Sequence, residues 1–155
     1  MWVGRCMKLQ FHPRTIRKVE EAVWKNPAIR QPSHNHPMFD SKGIESAVRN
    51  RTASYLSELL MNIACGNGPL YGARGAVDVE PDIEVKWSKK AWRLVVRDTY
   101  LKPGYKFALA TGYPEIQFVG WARSEDIAEE YKGHPFGAKF IRRNKLNPME
   151  TIFGV

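Results

Sequence analysis

The sequence predicts an α+β fold: a single domain over residues 1–155 with a central mixed sheet flanked by helices. Three observations carry this. Apolar residues recur at three- and four-residue steps in the first part of the chain, as on one face of a helix. From Val77 onward they alternate with polar residues, as strands do. The later segments are short and spaced like hairpins. With 155 residues, 43% hydrophobic and 26% charged, the chain can bury one core and is composed like an ordinary globular protein.

The opening stretch "MWVGRCMKLQFHP" is too short and too interrupted by charge for a signal peptide. In "RTIRKVEEAVWK", residues 14–25, Ile16, Val19 and Val23 follow Pro13 at helical spacing and predict a short amphipathic helix. Three prolines make 27–43 a long proline-rich loop, and loops of that length are often functional. It holds His34 and His36, an i, i+2 pair able to bind Zn²⁺, but no cysteine pair or third ligand stands at zinc-site spacing, which favours solvent-exposed histidines. His12 and His134 each precede a proline and read as turn residues.

Ile44, Val48, Tyr55, Leu56, Leu59, Leu60 and Ile63 predict a long helix over roughly 43–64, stopped by Gly66 and the "GNGP" breaker. Strands are expected at Ile83–Trp87, "WRLVV" (92–96), "KFALAT" (106–111), "IQFVGWA" (116–122) and "AKFIRR" (138–143). "SEDIAEEY" predicts a short helix capped by Ser124, with Glu125 and Asp126 at its positive end. Trp87, Trp92 and Trp121 are assigned to the core.

Lys and Arg number 24 against 16 Asp and Glu, a net charge of +8, which favours a polyanionic partner: nucleic acid first, an anionic membrane surface second. No apolar run approaches the ~18–20 residues of a membrane span. Cys6 and Cys65 lie far apart without metal spacing and suggest free thiols in a reducing cytoplasm. Two basic groups are placed to contact phosphates: Lys89, Lys90 and Arg93 in "SKKAWR", and Lys139, Arg142, Arg143 and Lys145 in "KFIRRNKL", where Phe140 is interleaved.

Against this basic background, "DVEPDIEVKW" concentrates four carboxylates, Asp78, Glu80, Asp82 and Glu84, beside Lys86. In a strand through this stretch, Ile83, Val85 and Trp87 share one face, and Asp82, Glu84 and Lys86 the other. A half-buried strand with a polar outer face accounts for that pattern. A hydrolytic site accounts for more of it. Phosphodiester hydrolysis needs a divalent ion and a nearby cation or base to position water. Glu84 offers the oxygen ligand Mg²⁺ prefers, the Val85 carbonyl offers another, and Lys86 can meet the water or the phosphate. Asp78 is the favoured second acid. A straight chain would hold it about 20 Å from Glu84, so it requires a bend at Pro81-Asp82. Without the bend Asp82 takes its place, about 7 Å from Glu84 at Cα.

"YGARGAVDVEPDIEVKW" resembles the core motif of the PD-(D/E)XK nuclease superfamily, with Asp78 as the first acid and Glu84-Val85-Lys86 as the (D/E)-x-K. "RNRTASYLSELLMNIACG" is similar to the preceding helix of that superfamily, with Glu58 at the position of its glutamate. The order resembles that of archaeal Holliday junction resolvases and small phage nucleases, across roughly residues 49–123. Two features depart from it: the Asp78-to-Glu84 spacing is shorter than in most members, and the Pro-Asp dipeptide stands at 81–82. The resemblance implies a restriction-endonuclease-like core and Mg²⁺- (or Mn²⁺-) dependent cleavage of branched or duplex DNA. Asp78, Glu84, Val85 and Glu58 would hold the metal and Lys86 would orient the water, with a homodimer left open. Two other functions compete: a non-catalytic nucleic-acid-binding or inhibitory protein on a similar fold, and an interaction protein with no nucleic-acid role.

Overall fold

A computed structural model of the chain describes residues 2–3, 6–25, 41–66, 77–79 and 81–153. The elements in order are β1 (Trp2–Val3), β2 (Cys6–Gln10), α1 (Pro13–Trp24), α2 (Ser41–Ala64), β3 (Ile83–Trp87), β4 (Arg93–Arg97), β5 (Lys106–Thr111), β6 (Glu115–Arg123), β7 (Glu129–Glu130) and β8 (Ala138–Arg142). The fold is α+β, as expected. Its strands form two sheets, one five-stranded in the order β1-β2-β6-β5-β3 and one three-stranded in the order β4-β8-β7. The larger sheet is mixed, because β3 runs parallel to β5 while the other pairs are antiparallel.

α1 starts where Pro13 can occupy the first turn without a lost N–H bond, and the His12 Nδ1 accepts the Arg14 N–H at 3.1 Å. Val19 and Val23 turn its apolar stripe inward. α2 begins at Ser41, two residues before the expected start, and ends at Ala64, as expected, with Gly66 in the turn beyond it at a φ of 77° that suits a residue without Cβ. The rest of the expected loop, with His34 and His36, lies outside the described residues. Among the described residues, no helix is long and apolar enough to cross a membrane.

β5 has almost no alternation in burial because both its faces are covered. Ala108 and Ala110 face the helices, in a core with Leu56, Leu60, Ile83, Val85, Ile116 and Phe118. Phe107 and Leu109 face the second sheet, in a core with Leu94, Val96, Ala122 and Ile141. The large sheet thus carries helices on one face and the small sheet on the other.

β6 needs a device to serve both cores. Ala110 pairs with Phe118 but Leu109 pairs with Gly120, so Val119 is an extra residue, a β-bulge. The one-residue slip reverses the parity of the strand. Ile116 and Phe118 face the helices before the bulge, and Trp121, by parity the opposite side, joins the same core after it. Ala122 consequently joins the other core.

Several sequence expectations need correction. "SEDIAEEY" is not an α-helix: Ser124–Asp126 is a 3₁₀ turn and Glu129–Glu130 pairs with β8. Ser124 does not cap it with its side chain; its N–H bonds the Tyr105 carbonyl at 2.9 Å. The segment buries Ile127 alone among its apolar positions as a large anchor, too little to define a helical stripe, while β8 offers ready backbone partners. Trp92 is not in the core; it is 70% exposed, whereas Trp121 is buried and Trp87 half-buried. The opening strands β1 and β2, and the C-terminal turn that carries fully buried Met149 and Ile152 into the helix-side core, had no expectation attached to them.

Candidate functional site

The bend required by Asp78 exists. Val79 and Ile83 form an antiparallel bridge, with Val79 N–H to Ile83 O at 2.9 Å and Ile83 N–H to Val79 O at 3.0 Å. The chain therefore reverses through Pro81-Asp82 and lays Asp78 against the outer edge of β3. Glu80 lies outside the described residues.

β3 is the edge strand of the large sheet. The Lys106 N–H donates to Asp82 O and the Ser88 N–H to Ala110 O, each at 2.9 Å, so the even-numbered residues bond β5. The backbone groups of Ile83 and Val85 point the other way, toward the edge. There the Val85 N–H donates to the Asp78 Oδ2 at 2.7 Å, and the Val85 carbonyl points to the same side.

Glu84 and Lys86 share a register face with Phe107 and Leu109, opposite the helices. On that face the apolar core of the small sheet takes Phe107 and Leu109 from β5 and Ala122 from β6, whereas β3 presents Glu84 and Lys86. Glu84 is half-buried there, within hydrogen-bonding reach of the Asp78 carboxyl. Burial first, and then the Asp78 charge and hydrogen bond, push the Glu84 carboxyl up to about 7. Lys86 and Lys102 act against that rise. Lys86 also rests its ammonium over the Tyr100 ring, 5.2 Å from the centroid.

The helix takes part through Asn62. This buried side chain donates to the Asp78 carbonyl at 2.9 Å and to the Glu58 carbonyl at 3.0 Å. Glu58, also buried, stands one turn before Asn62 on the helix side of β3. Glu84 and Lys86 project from the other side, so β3 stands between Glu58 and those two side chains. Among the described residues, no three His, Cys, Asp or Glu side chains stand together as a metal-holding group. The site is a pair of carboxylates with two lysines beside it. Asp82 sits in the turn and lends its carbonyl to β5.

The donor set fits a hard divalent cation. Mg²⁺ takes oxygen ligands and is commonly bound through one or two carboxylates, with waters and phosphate completing the shell. Two carboxyl groups in hydrogen-bonding reach, one of them holding its proton near neutrality, are the arrangement that a cation would relieve. Asp78 Oδ1, the Glu84 carboxylate and the Val85 carbonyl are the groups available to it.

Compared with protein-family models, curated proteins and solved structures, the chain matches none.

The expected basic residues divide into kinds. Lys89 and Lys90 are exposed after β3, with Lys90 4.8 Å from the centroid of the Trp92 ring. Lys139 is bridged to Asp98 at 3.0 Å, and Arg142 to Glu129 at 3.7 Å. Arg142 and Arg143 line a groove of about 660 Å³ with Trp92, Asn144 and Asn147, and exposed Lys145 lies in the same 3₁₀ turn as Arg143. Arg93 lies on the outer face of the small sheet, opposite Arg142.

Asn62, Tyr100 and Lys102 were not singled out from sequence. A signal for Asn62 existed: it is a polar residue within the apolar run "LLMNIA", four positions after Glu58. Tyr100 and Lys102 come from the β4–β5 connection, and only the parallel pairing of β3 with β5 brings that connection beside Glu84.

The Glu84 environment has a measurable consequence for the metal-free protein. Its carboxyl titrates at about 7 when folded, against 4.5 ordinarily. A pKa raised by folding contributes stability that is complete below about 4.5 and lost as the pH rises through about 7. Glu84→Gln cannot ionise and should lose less stability between pH 5 and pH 8 than the wild type. With the carboxyl half in solvent, the difference should be roughly 1 kcal/mol, or about 2–4 °C in unfolding midpoint in chelator. Parallel declines in the two proteins would show that Glu84 is not held in this way.

Proposed function

We propose that the chain is a small metal-dependent endonuclease that hydrolyses phosphodiester bonds in DNA. One observation carries the proposal. The turn between Val79 and Ile83 sets Asp78 in hydrogen-bonding reach of Glu84 at the edge of β3, and Lys86 follows on the same face. Acids and a lysine so arranged match the roles in the PD-(D/E)XK motif that "DVEPDIEVKW" resembles, and the mixed sheet with E-V-K on an edge strand is compatible with a restriction-endonuclease-like core.

Asp78, Glu84 and the Val85 carbonyl would hold Mg²⁺ or Mn²⁺; Glu58, expected among the ligands, stands on the other side of β3 and is left out of the set. When bound, the ion supplies a Lewis-acid charge to the scissile phosphate. The chain's own residues do the rest. The Val85 N–H and the Asn62 amide fix Asp78 by its carboxylate and its carbonyl. Lys86, steadied by Tyr100, offers an N–H to the attacking water or to a phosphate oxygen, and Lys102 adds a second positive charge beside Glu84. The exposed lysines 89 and 90 continue the positive surface from the end of β3. Cys65 is a free, partly buried thiol whose pKa burial pushes up, the state of an unreactive thiol, which fits the proposed cytoplasmic setting.

The alternative is a non-catalytic nucleic-acid-binding or inhibitory protein on a similar fold. It is favoured by the Glu84 carboxyl, which burial and the neighbouring Asp78 push up to about 7, so that near neutrality it can hold a proton in place of an ion. Incubating the purified chain with linear, nicked and four-way DNA in Mg²⁺ or Mn²⁺ separates the two. Cleavage that stops when the ion is chelated supports the nuclease. Intact DNA in all three forms, with either ion, returns the function to binding alone.

A further inference from the structure

The outer face of the small sheet is separate from the carboxylate pair. Strand alternation directs Leu94, Val96 and Ile141 into the core, leaving Arg93, Val95 and Arg97 of β4 and Phe140 and Arg142 of β8 on the other side. Tyr131, just beyond β7, bonds through its N–H to Ala138 O and meets Phe140 edge-to-face with ring centroids 6.2 Å apart. The Arg93 guanidinium lies over both rings, 4.6 Å from the centroid of Tyr131 and 5.4 Å from that of Phe140. Arg97 lies 5.4 Å from the centroid of Phe136, a ring that is 74% exposed.

We propose that this face is a stacking platform for an unpaired DNA strand. Burial does not explain the exposed Phe136 ring, while Tyr131 and Phe140 are half-buried with Arg93 over them. Charge complementarity argues for a polyanion, because Arg93, Arg97 and Arg142 stand on the face with Glu129, which is bridged to Arg142, and the chain carries +8. The aromatic rings argue for exposed bases over a closed duplex, since stacking needs a free π-face that a paired base does not offer. Planar guanidinium groups beside the rings serve both needs: they stack on bases and bond phosphates. The platform also has a direction. β4 runs from Arg93 to Arg97 and continues into the 3₁₀ turn Asp98–Tyr100, whose Tyr100 ring lies under Lys86. A strand held along β4 is led toward the carboxylate pair. This deepens the reading of the chain as a DNA-acting protein and rests on it, naming DNA with a single-stranded segment as the substrate class.

Binding to fluorescently labelled single-stranded DNA and to a duplex of equal length, measured by anisotropy in chelator, tests this without involving cleavage. The wild type should prefer the single strand. Phe136→Ala removes only an exposed ring and should weaken single-strand binding about tenfold, in line with the loss of one stacked base, with duplex binding and the salt slope unchanged. Arg93→Lys keeps the charge but loses the planar group and should act in the same direction. Equal losses on both DNAs, no loss with either variant, or a wild type that prefers duplex would overturn the platform while leaving the nuclease proposal standing. A wild type that binds neither DNA would overturn both.

Discussion

Glu84→Gln should lose DNA cleavage by at least about a hundredfold while remaining folded and able to bind DNA. The amide keeps the size of the side chain and its place in β3, where the Glu84 backbone pairs with Phe107. It removes the negative charge that would complete the proposed ion site with Asp78. Lys86→Ala should lose cleavage to a similar degree for a different reason, since it leaves Asp78, Glu84 and Val85 in place and deletes the ammonium held over Tyr100. Divalent-ion titration distinguishes the two: Glu84→Gln should bind the ion more weakly, and Lys86→Ala should bind it as the wild type does. DNA affinity should change little in either, because most of it should come from the lysines and arginines outside the pair. Equal cleavage rates in the wild type and both variants would make the acidic cluster a structural face.

Phe118→Ala should cost about 3–5 kcal/mol, a large part of the 5–15 kcal/mol that stabilises a typical domain. Phe118 is fully buried on β6, paired with Met7 on one side and Ala110 on the other, and faces the helix-side core. Its neighbours on that face include Ile116 and, past the bulge, Trp121, whose indole N–H is already committed to the Pro148 carbonyl and the Thr151 hydroxyl. A side chain tied at its polar end cannot swing to fill the space, so the cavity should persist. At about 2–4 °C per kcal/mol, the unfolding midpoint should fall by roughly 6–20 °C. A fall of less than about 3 °C would mean that the site collapses around the smaller residue. Beside Glu84→Gln, this variant distinguishes loss of fold from loss of chemistry.

The main elements were legible in the sequence because each is specified by a local period. Val19 and Val23 mark α1, the stripe from Val48 to Ile63 marks α2, and Ile83, Val85 and Trp87 mark β3 with Glu84 and Lys86 on its opposite face. Alternation along one strand is enough to place a glutamate and a lysine together. It is not enough to tell which aspartate lies beside Glu84, because that depends on a bend, and the Val79–Ile83 bridge lays Asp78 there. "SEDIAEEY" misled for the opposite reason. Its local preferences favour a helix, but pairing with β8 satisfies the backbone of Glu129 and Glu130.

By itself, then, the sequence determined the α+β class, the helices, most strands and the polar face of β3, all of which follow from side-chain periodicity within one segment. The tertiary structure alone decided that the strands divide between two sheets, and that Val119 bulges so that Phe118 and Trp121 serve one core. It also placed Trp92 and Phe136 in solvent and brought Tyr100, Lys102 and Asn62 to the acidic pair. These are contacts between residues far apart in the chain. They are fixed by which surfaces are left for each segment to cover once the others have packed, a quantity that no single stretch of residues contains.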